Sequence, residues 1–253
     1  MINFDEVLHK YTDADGNTYI SVTQLIGLYK QPFDTVAVSK RYAEKNGQTP
    51  EYWQQKWEHT KNEACDRGTL FHEEQEDLLL GRGVDMNRGK PVEVQNPGLQ
   101  MRMVQSVYDL PDGLYPELRL WHAGYRLAGT GDKAFLETIG HTRYADLDDH
   151  KTNKAIYTKS WVHPTQGPKM MKYPVAHIMD CNFWHYALQI SFYMYMLECE
   201  GFVPRDLQFT HYPHQNPDNP FEDIKPQIYK LPYLRDEVIA ILEDYRKQNR
   251  KRR

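Results

Sequence analysis

Apolar and polar positions along the chain follow two rhythms, strict alternation over short stretches and recurrence every three or four residues over longer ones, which are the repeats of strands and helices. Alternation on either side of Asp15-Gly16 predicts a hairpin pairing residues 7–11 with 18–21. Asp13, Asp15 and Asn17 offer oxygen ligands there, but the glycine is out of register for a calcium loop and the closing glutamate is missing, so the segment reads as a turn. Ser21 or Thr23 can cap a short helix through Tyr29 that Pro32 ends, and a second helix is expected over 34–46. From 50 to 80 a long helical pattern carries Trp53, Trp57, Thr60, Ala64, Gly68, Phe71 and Gln75 on one stripe, expected to face the core. Gly68 and His72 lie one turn apart on that helix, and the glycine would let another backbone approach closely. His72 taken alone fits a hydrogen-bonded helix histidine as well as a metal ligand.

A Gly-, Pro- and Asn-rich loop over 81–98 precedes a helix over 98–109. Three strands follow, at 115–122, 125–137 and 142–152, and their short connections at Ala123-Gly124 and Ile139-Gly140 predict an antiparallel meander. The helix over 180–198, capped by Asp180 or Asn182, is apolar on nearly every side and is expected to be buried. Gln189 inside it must find a partner, and Tyr193 lies one turn on. An internal hydrogen-bonded pair and a functional role both fit. Strands over 206–212 and 225–231, around a Pro- and Asn-rich loop, and a helix over 233–247 complete the chain. The whole chain reads as one domain, with a hairpin and helical part over 1–110, a core over 111–231 and a final helix with a basic tail over 232–253.

Length and composition narrow the function. The 253 residues suffice for one substantial core, and an aromatic content of 13%, led by 18 Tyr, argues for a folded chain. A net charge of -4 gives no overall basic excess to announce nucleic-acid binding, which leaves room only for a local basic groove. Cys65, Cys181 and Cys199 are too scattered for a disulfide framework or a four-thiolate metal site and fit a reducing compartment. The start lacks a basic, then apolar, signal pattern, and no segment reaches the ~20 apolar residues of a membrane span, so a cytoplasmic protein without a membrane partner is expected. Within 157–175, Lys159, Trp161, His163, Lys169, Lys172 and Tyr173 interleave cations with aromatics. This suits backbone phosphates and unstacked bases, and it equally suits an ordinary surface loop. The basic end, RKQNRKRR, fits a nucleic-acid contact or a solvated tail.

The stretch from Gly129 to Lys151 holds the chemistry. Alternation sends Asp149 and Lys151 to one face of their strand and Asp148 and His150 to the other. Phosphodiester hydrolysis needs a positioned water, charge stabilisation on the phosphate and help for the leaving oxygen. Hard oxygen ligands on magnesium with a nearby ammonium supply these. Asp132, Asp149 and Lys151 are groups of that kind, and Glu117, among apolar neighbours, is either an edge carboxylate or a third acid. A lone Asp-x-Lys recurs by chance in many proteins.

The order of several motifs is more specific. Gly68-xxx-His72 on a helix, GTGD ending at Asp132, Asp149-His150-Lys151-Thr152 in the next strand and Gln189-xxx-Tyr193 on a buried helix together resemble the RecB-like branch of the PD-(D/E)xK nucleases. HKYTDADGNTYISVTQL and RGTLFHEEQE look like the subgroup that holds phage RecB-type and mitochondrial genome-maintenance exonucleases, and the resemblance spans roughly residues 9–212. It implies an α/β fold of the α+β kind, a restriction-endonuclease-like core with a mixed central sheet flanked by helices, which agrees with the order of helix, meander, helix and strand. It further implies that His72, Asp132, Asp149 and the main-chain carbonyl of His150 hold Mg2+, with Mn2+ able to substitute, and that Lys151 acts beside the attacking water. Gln189 and Tyr193 would support the site and the DNA strand, with Lys159, Trp161, Lys169 and Lys172 as further DNA contacts and Glu117 as an extra acid. Some relatives hold an iron-sulfur cluster on four cysteines; three cysteines at these positions imply none. The function so implied is a metal-dependent DNA nuclease, an exonuclease on single strands or DNA ends in replication, recombination or repair, phage-encoded or otherwise. Its alternatives are a structure-specific endonuclease and a non-catalytic DNA-binding or assembly protein with the same fold, and replication or recombination proteins are the implied protein partners.

Overall fold

The computed structural model describes residues 2–5, 8, 10–86, 89–104, 106–213 and 225–251. Val7 and His9 of the expected first hairpin, most of the Pro- and Asn-rich loop and the last two residues of the basic tail lie outside that set.

The chain opens with an antiparallel ribbon, β1 (Ile2–Asp5), β2 (Lys10–Asp13) and β3 (Thr18–Ser21). The Asp13 carboxylate accepts hydrogen bonds from the Asp15 and Asn17 backbone N–H groups at 3.1 and 2.8 Å, so it is consumed in bending the turn. Ser21 then starts α1 (Val22–Tyr29) through a capping box with Gln24, and Asp34 caps α2 (Thr35–Asn46). Thr49 caps α3 (Pro50–Arg82), which ends on Gly83 at φ 67°.

The stripe on α3 does not face the core: none of its residues is fully buried. Trp53 and Trp57 instead pack edge-on against Tyr42 of α2, with ring centroids at 5.2 and 5.4 Å. Helical spacing of large side chains says that a face is covered, not by what, and here the cover is one amphipathic helix. Gly68 also differs from expectation, since a Cβ there would come no closer than 3.9 Å to Thr152 Oγ1, an ordinary contact.

The 81–98 segment holds a small ribbon, β4 (Val84–Asp85) with β5 (Val92–Glu93), followed by α4 (Pro97–Met103), shorter than the sequence pattern predicts. The expected meander follows as β6 (Gly113–His122), β7 (Leu127–Ile139) and β8 (Thr142–Lys151), antiparallel throughout. A two-residue hairpin, β9 (Val162–His163) with β10 (Gly167–Pro168), leads into α5 (Asn182–Cys199). Neither expected cap serves α5. Asn182 Oδ1 accepts from Tyr157 N–H, Asp180 is engaged by Lys169, His185 and Gln31, and Cys181 stands at the N-cap without a side-chain bond. β11 (Val203–His211), β12 (Gln227–Lys230) and α6 (Arg235–Lys251) close the chain.

Eight strands make one mixed sheet in the order β1-β2-β3-β7-β8-β11-β12, with β6 also on β7. β8 with β11 and β3 with β7 are parallel, the other pairs antiparallel. The apolar face of β6, β7 and β8 packs on α5, whose Leu188, Ile190, Phe192 and Leu197 are fully buried beside Leu118, Leu127 and Leu136. Among the described residues no helix is long and apolar enough to cross a membrane.

The register makes a fork. One edge of β7 is paired by β6 from Leu136 to Leu127. On the other edge β8 reaches only to the Lys133–Asp148 pair, and β3 takes Leu127 and Ala128. Gly129–Asp132, the GTGD motif, thus lie between two ladders, while Asp149 and Lys151 continue beside β11 alone.

An ion-pair network pins β8 to β11 behind the fork. Arg205 grips Asp146 with two bonds, Nε–Oδ1 at 2.8 Å and Nη2–Oδ2 at 2.9 Å, and reaches Glu137 at 2.8 Å. Asp146 is 2% exposed, so Arg205→Met would leave a buried carboxylate that has lost its guanidinium and keeps the Asp206 backbone N–H. Discounted for the partial exposure of the guanidinium, the expected loss is about 2 kcal/mol in urea unfolding. An unchanged midpoint would show the pair to be dispensable.

Candidate metal centre

His72 reaches down from α3 onto the fork. Its Nδ1 lies 3.3 Å from Asp132 Oδ2 and 3.4 Å from Glu117 Oε1. One ligand atom from each of the three falls within 4.8 Å of the others. Burial alone would lower the His72 pKa, but hydrogen bonds and charge from Asp132 and Glu117 outweigh it and raise the pKa to about 10. Without a metal, a proton on the imidazole balances the two carboxylates.

Glu117 gets there by a break in its strand. Its φ is +49°, left-handed backbone that costs about 1–2 kcal/mol for a residue with a Cβ. Tyr115, Leu118 and Leu120 all point into the same core, so the alternation of β6 slips by one at Glu117. β7 slips opposite it, since Leu127, Ala134 and Leu136 share that core while Asp132 stands with His72. Sequence alternation continued through Glu117 cannot show this, and the local kink is what turns both carboxylates toward α3.

Asp149 and Lys151 project together on the α5 face of β8 and form an ion pair. Apart from Lys151, neither Asp149 oxygen has a hydrogen-bond partner among the described residues. Burial, then the charge of nearby Asp132, raises the Asp149 pKa against the pull of Lys151. Lys151 has a raised pKa too, because Asp149 and Asp132 overcome its desolvation. Asp148 points the other way, to Lys133 Nζ at 2.9 Å and Thr210 Oγ1 at 3.1 Å, in a stretch of β8 from Leu147 to Lys151 whose register with β11 is regular, the shift between the two strands falling before it at Pro204–Leu207. His150 N–H donates to Asp132 Oδ2 at 2.6 Å, fixing that carboxylate. Its ring, which the sequence reading left out, sits among Phe71, His72 and Tyr212 with both nitrogens buried and without partners. Burial first, then Lys133, lowers its pKa to about 4.

Gln189 is half-buried and donates from Nε2 to the Tyr193 hydroxyl at 3.2 Å. Tyr193 is buried with its ring on Gly129, where a Cβ would come 2.4 Å from Cε1. The first glycine of GTGD is therefore required by the motif tyrosine of α5. The 157–175 cations divide. Lys169 pairs with Asp180, just before α5, at 3.0 Å, and Lys172 donates to the Leu28 carbonyl at 3.0 Å, tying the insertion to the end of α1. Lys159 and Trp161 stand exposed near the hairpin, Trp161 at 65%.

A cavity of about 960 Å³ opens onto His72 and Glu117. Arg102, Arg119, Trp121 and Thr130 also line it. Neither arginine makes an ion pair among the described residues, and sequence reading passed over both, although Arg119 and Trp121 share the post-kink face of β6 with Glu117. No protein-family model matches the chain, and no curated protein matches it.

Proposed function

We propose that the protein is a metal-dependent DNA nuclease of the RecB-like PD-(D/E)xK kind, acting as an exonuclease on single strands or free ends. The observation that carries the reading is the convergence of His72, Glu117 and Asp132, from one helix and two strands distant in sequence, beside the buried Asp149–Lys151 pair. One imidazole and several carboxylate oxygens are a donor set that suits Mg2+ or Mn2+. His72, Glu117, Asp132 and Asp149 would hold the ion, which supplies charge neutralisation for the scissile phosphate and acidifies a water.

The protein's own groups do the rest. Asp132 is held by the His150 N–H, so its carboxylate is oriented before any ligand arrives. Lys151 keeps its ammonium in a site largely shut off from solvent, where a fixed positive charge orients a nucleophilic oxygen and offsets charge on the phosphate. The cavity beside Arg102 and Arg119 gives the strand next to the cleaved bond a place to lie. The test is digestion of 5′- and 3′-end-labelled single and double strands, with a circular substrate, in Mg2+ or Mn2+. Cleavage of linear but not circular DNA is expected. Cutting of the circle would make the enzyme an endonuclease, and tight binding without cleavage under any divalent ion would make it a DNA-binding protein.

The His72 proton gives this reading a pH signature. A metal ion must displace it, and its pKa of about 10 lies above working pH. Between the Asp149 pKa of about 7 and that of His72, from pH 8 to 9, metal affinity is therefore expected to rise about tenfold per pH unit with about one proton released per ion. Calorimetry in buffers of different ionisation enthalpy reads both numbers, and a pH-independent affinity would remove His72 from the ligand set.

A further inference from the structure

Lys151 has a second partner besides Asp149. Its Nζ lies 4.7 Å from the centroid of the Tyr186 ring, in the first half of α5. That ring is anchored, because the Tyr186 hydroxyl donates to Asn153 Oδ1. Asn153 follows Lys151 by two residues, and its own carbonyl accepts from Nε2 of His211, the residue paired with Lys151 across β8 and β11. Strand, loop and helix thus close a ring of contacts around one ammonium group.

Resting on the nuclease reading, we infer that Tyr186 is a positioning residue that seats Lys151 when Asp149 turns to a metal ion. Asp149 pairs with Lys151 through Oδ2, and a carboxylate whose charge is shared with a divalent cation on its other oxygen attracts the ammonium less strongly. The hold of its main partner weakens at the moment its placement matters, and the Tyr186 face is a group that attracts a cation without competing for the metal. Asn153 sets the height of the ring, and His211 sets Asn153. Tyr186 touches neither substrate nor metal and acts through Lys151.

The test uses full-length protein labelled with 13Cε-lysine, with Lys151 assigned by comparison with Lys151→Met. In saturating Mg2+ the Lys151 Cε protons are expected to be shifted upfield by the Tyr186 ring current. Tyr186→Leu should abolish that shift and lower kcat about 10- to 30-fold, with KM and the Mg2+ Kd unchanged. Tyr186→Phe keeps the ring but loses its bond to Asn153, so it should weaken the shift without abolishing it and lose about fivefold or less in kcat. Asn153→Ala, at an exposed position, weakens the shift without touching the ring and covers the case in which Tyr186→Leu does not fold. A Lys151 resonance unmoved by Tyr186→Leu or, where that variant does not fold, by Asn153→Ala overturns the inference, as does a loss confined to KM or to metal affinity. If the wild-type protein cleaves no nucleic acid, the nuclease reading falls, and the resonance in Mg2+ still decides whether the ring seats the ammonium.

Discussion

Asp149→Asn is expected to lower magnesium-dependent cleavage of end-labelled DNA about a thousandfold, a loss of about 4 kcal/mol in transition-state stabilisation, and Lys151→Met to do the same. The two should differ in stability. Asp149→Asn leaves a buried ammonium without its carboxylate, for a loss of about 3 kcal/mol. Lys151→Met costs less, because Asp149 already has a raised pKa from burial and from Asp132 and can take up a proton in place of its partner. The double variant should recover most of the stability and none of the activity, which a double-mutant cycle in urea together with a cleavage assay would read. Folded single variants that cut DNA at the wild-type rate would remove the pair from the chemistry.

Gly129→Ala is expected to destabilise the protein by about 3 kcal/mol, a fall in Tm of about 6–12 °C for a chain of this size. The added Cβ would stand 2.4 Å from Tyr193 Cε1, and Tyr193 is 4% exposed with no free volume to retreat into. Gly131→Ala is the matched control. Its Cβ would meet nothing nearer than 3.8 Å, so no loss is expected, and alanine's smaller entropy cost in a strand should add up to about 1 kcal/mol of stability. Equal melting temperatures for the two variants would show that the Tyr193–Gly129 contact is not tight.

Local pattern made much of the fold legible. Alternation and turn residues placed β6, β7 and β8 to within two residues, because consecutive antiparallel strands are specified by neighbours in sequence. Capping chemistry placed α1 and α2, since Ser21 and Asp34 satisfy backbone donors only three residues away. The same locality explains the misreadings. The α3 stripe showed that Trp53 and Trp57 needed cover but could not say that Tyr42 supplied it. Asp180 and Asn182 had the chemistry of caps, yet distant partners, Gln31 and Tyr157, claimed them first.

By itself the sequence determined the antiparallel meander, the main helices and the opposite facing of Asp148 and Asp149, because each follows from spacing along one element or between neighbours in the chain. Only the tertiary structure decided what the acidic groups become. The GTGD motif lies in a gap bounded by a strand more than a hundred residues earlier, and that long-range pairing leaves no local mark. Glu117 joins His72 through a left-handed kink, a backbone state that its side chain does not prefer and that the surrounding strands impose. The placement of Lys151 against both Asp149 and Tyr186 comes from packing α5 on the sheet, where burial makes each charge depend on its neighbours rather than on its own chemistry.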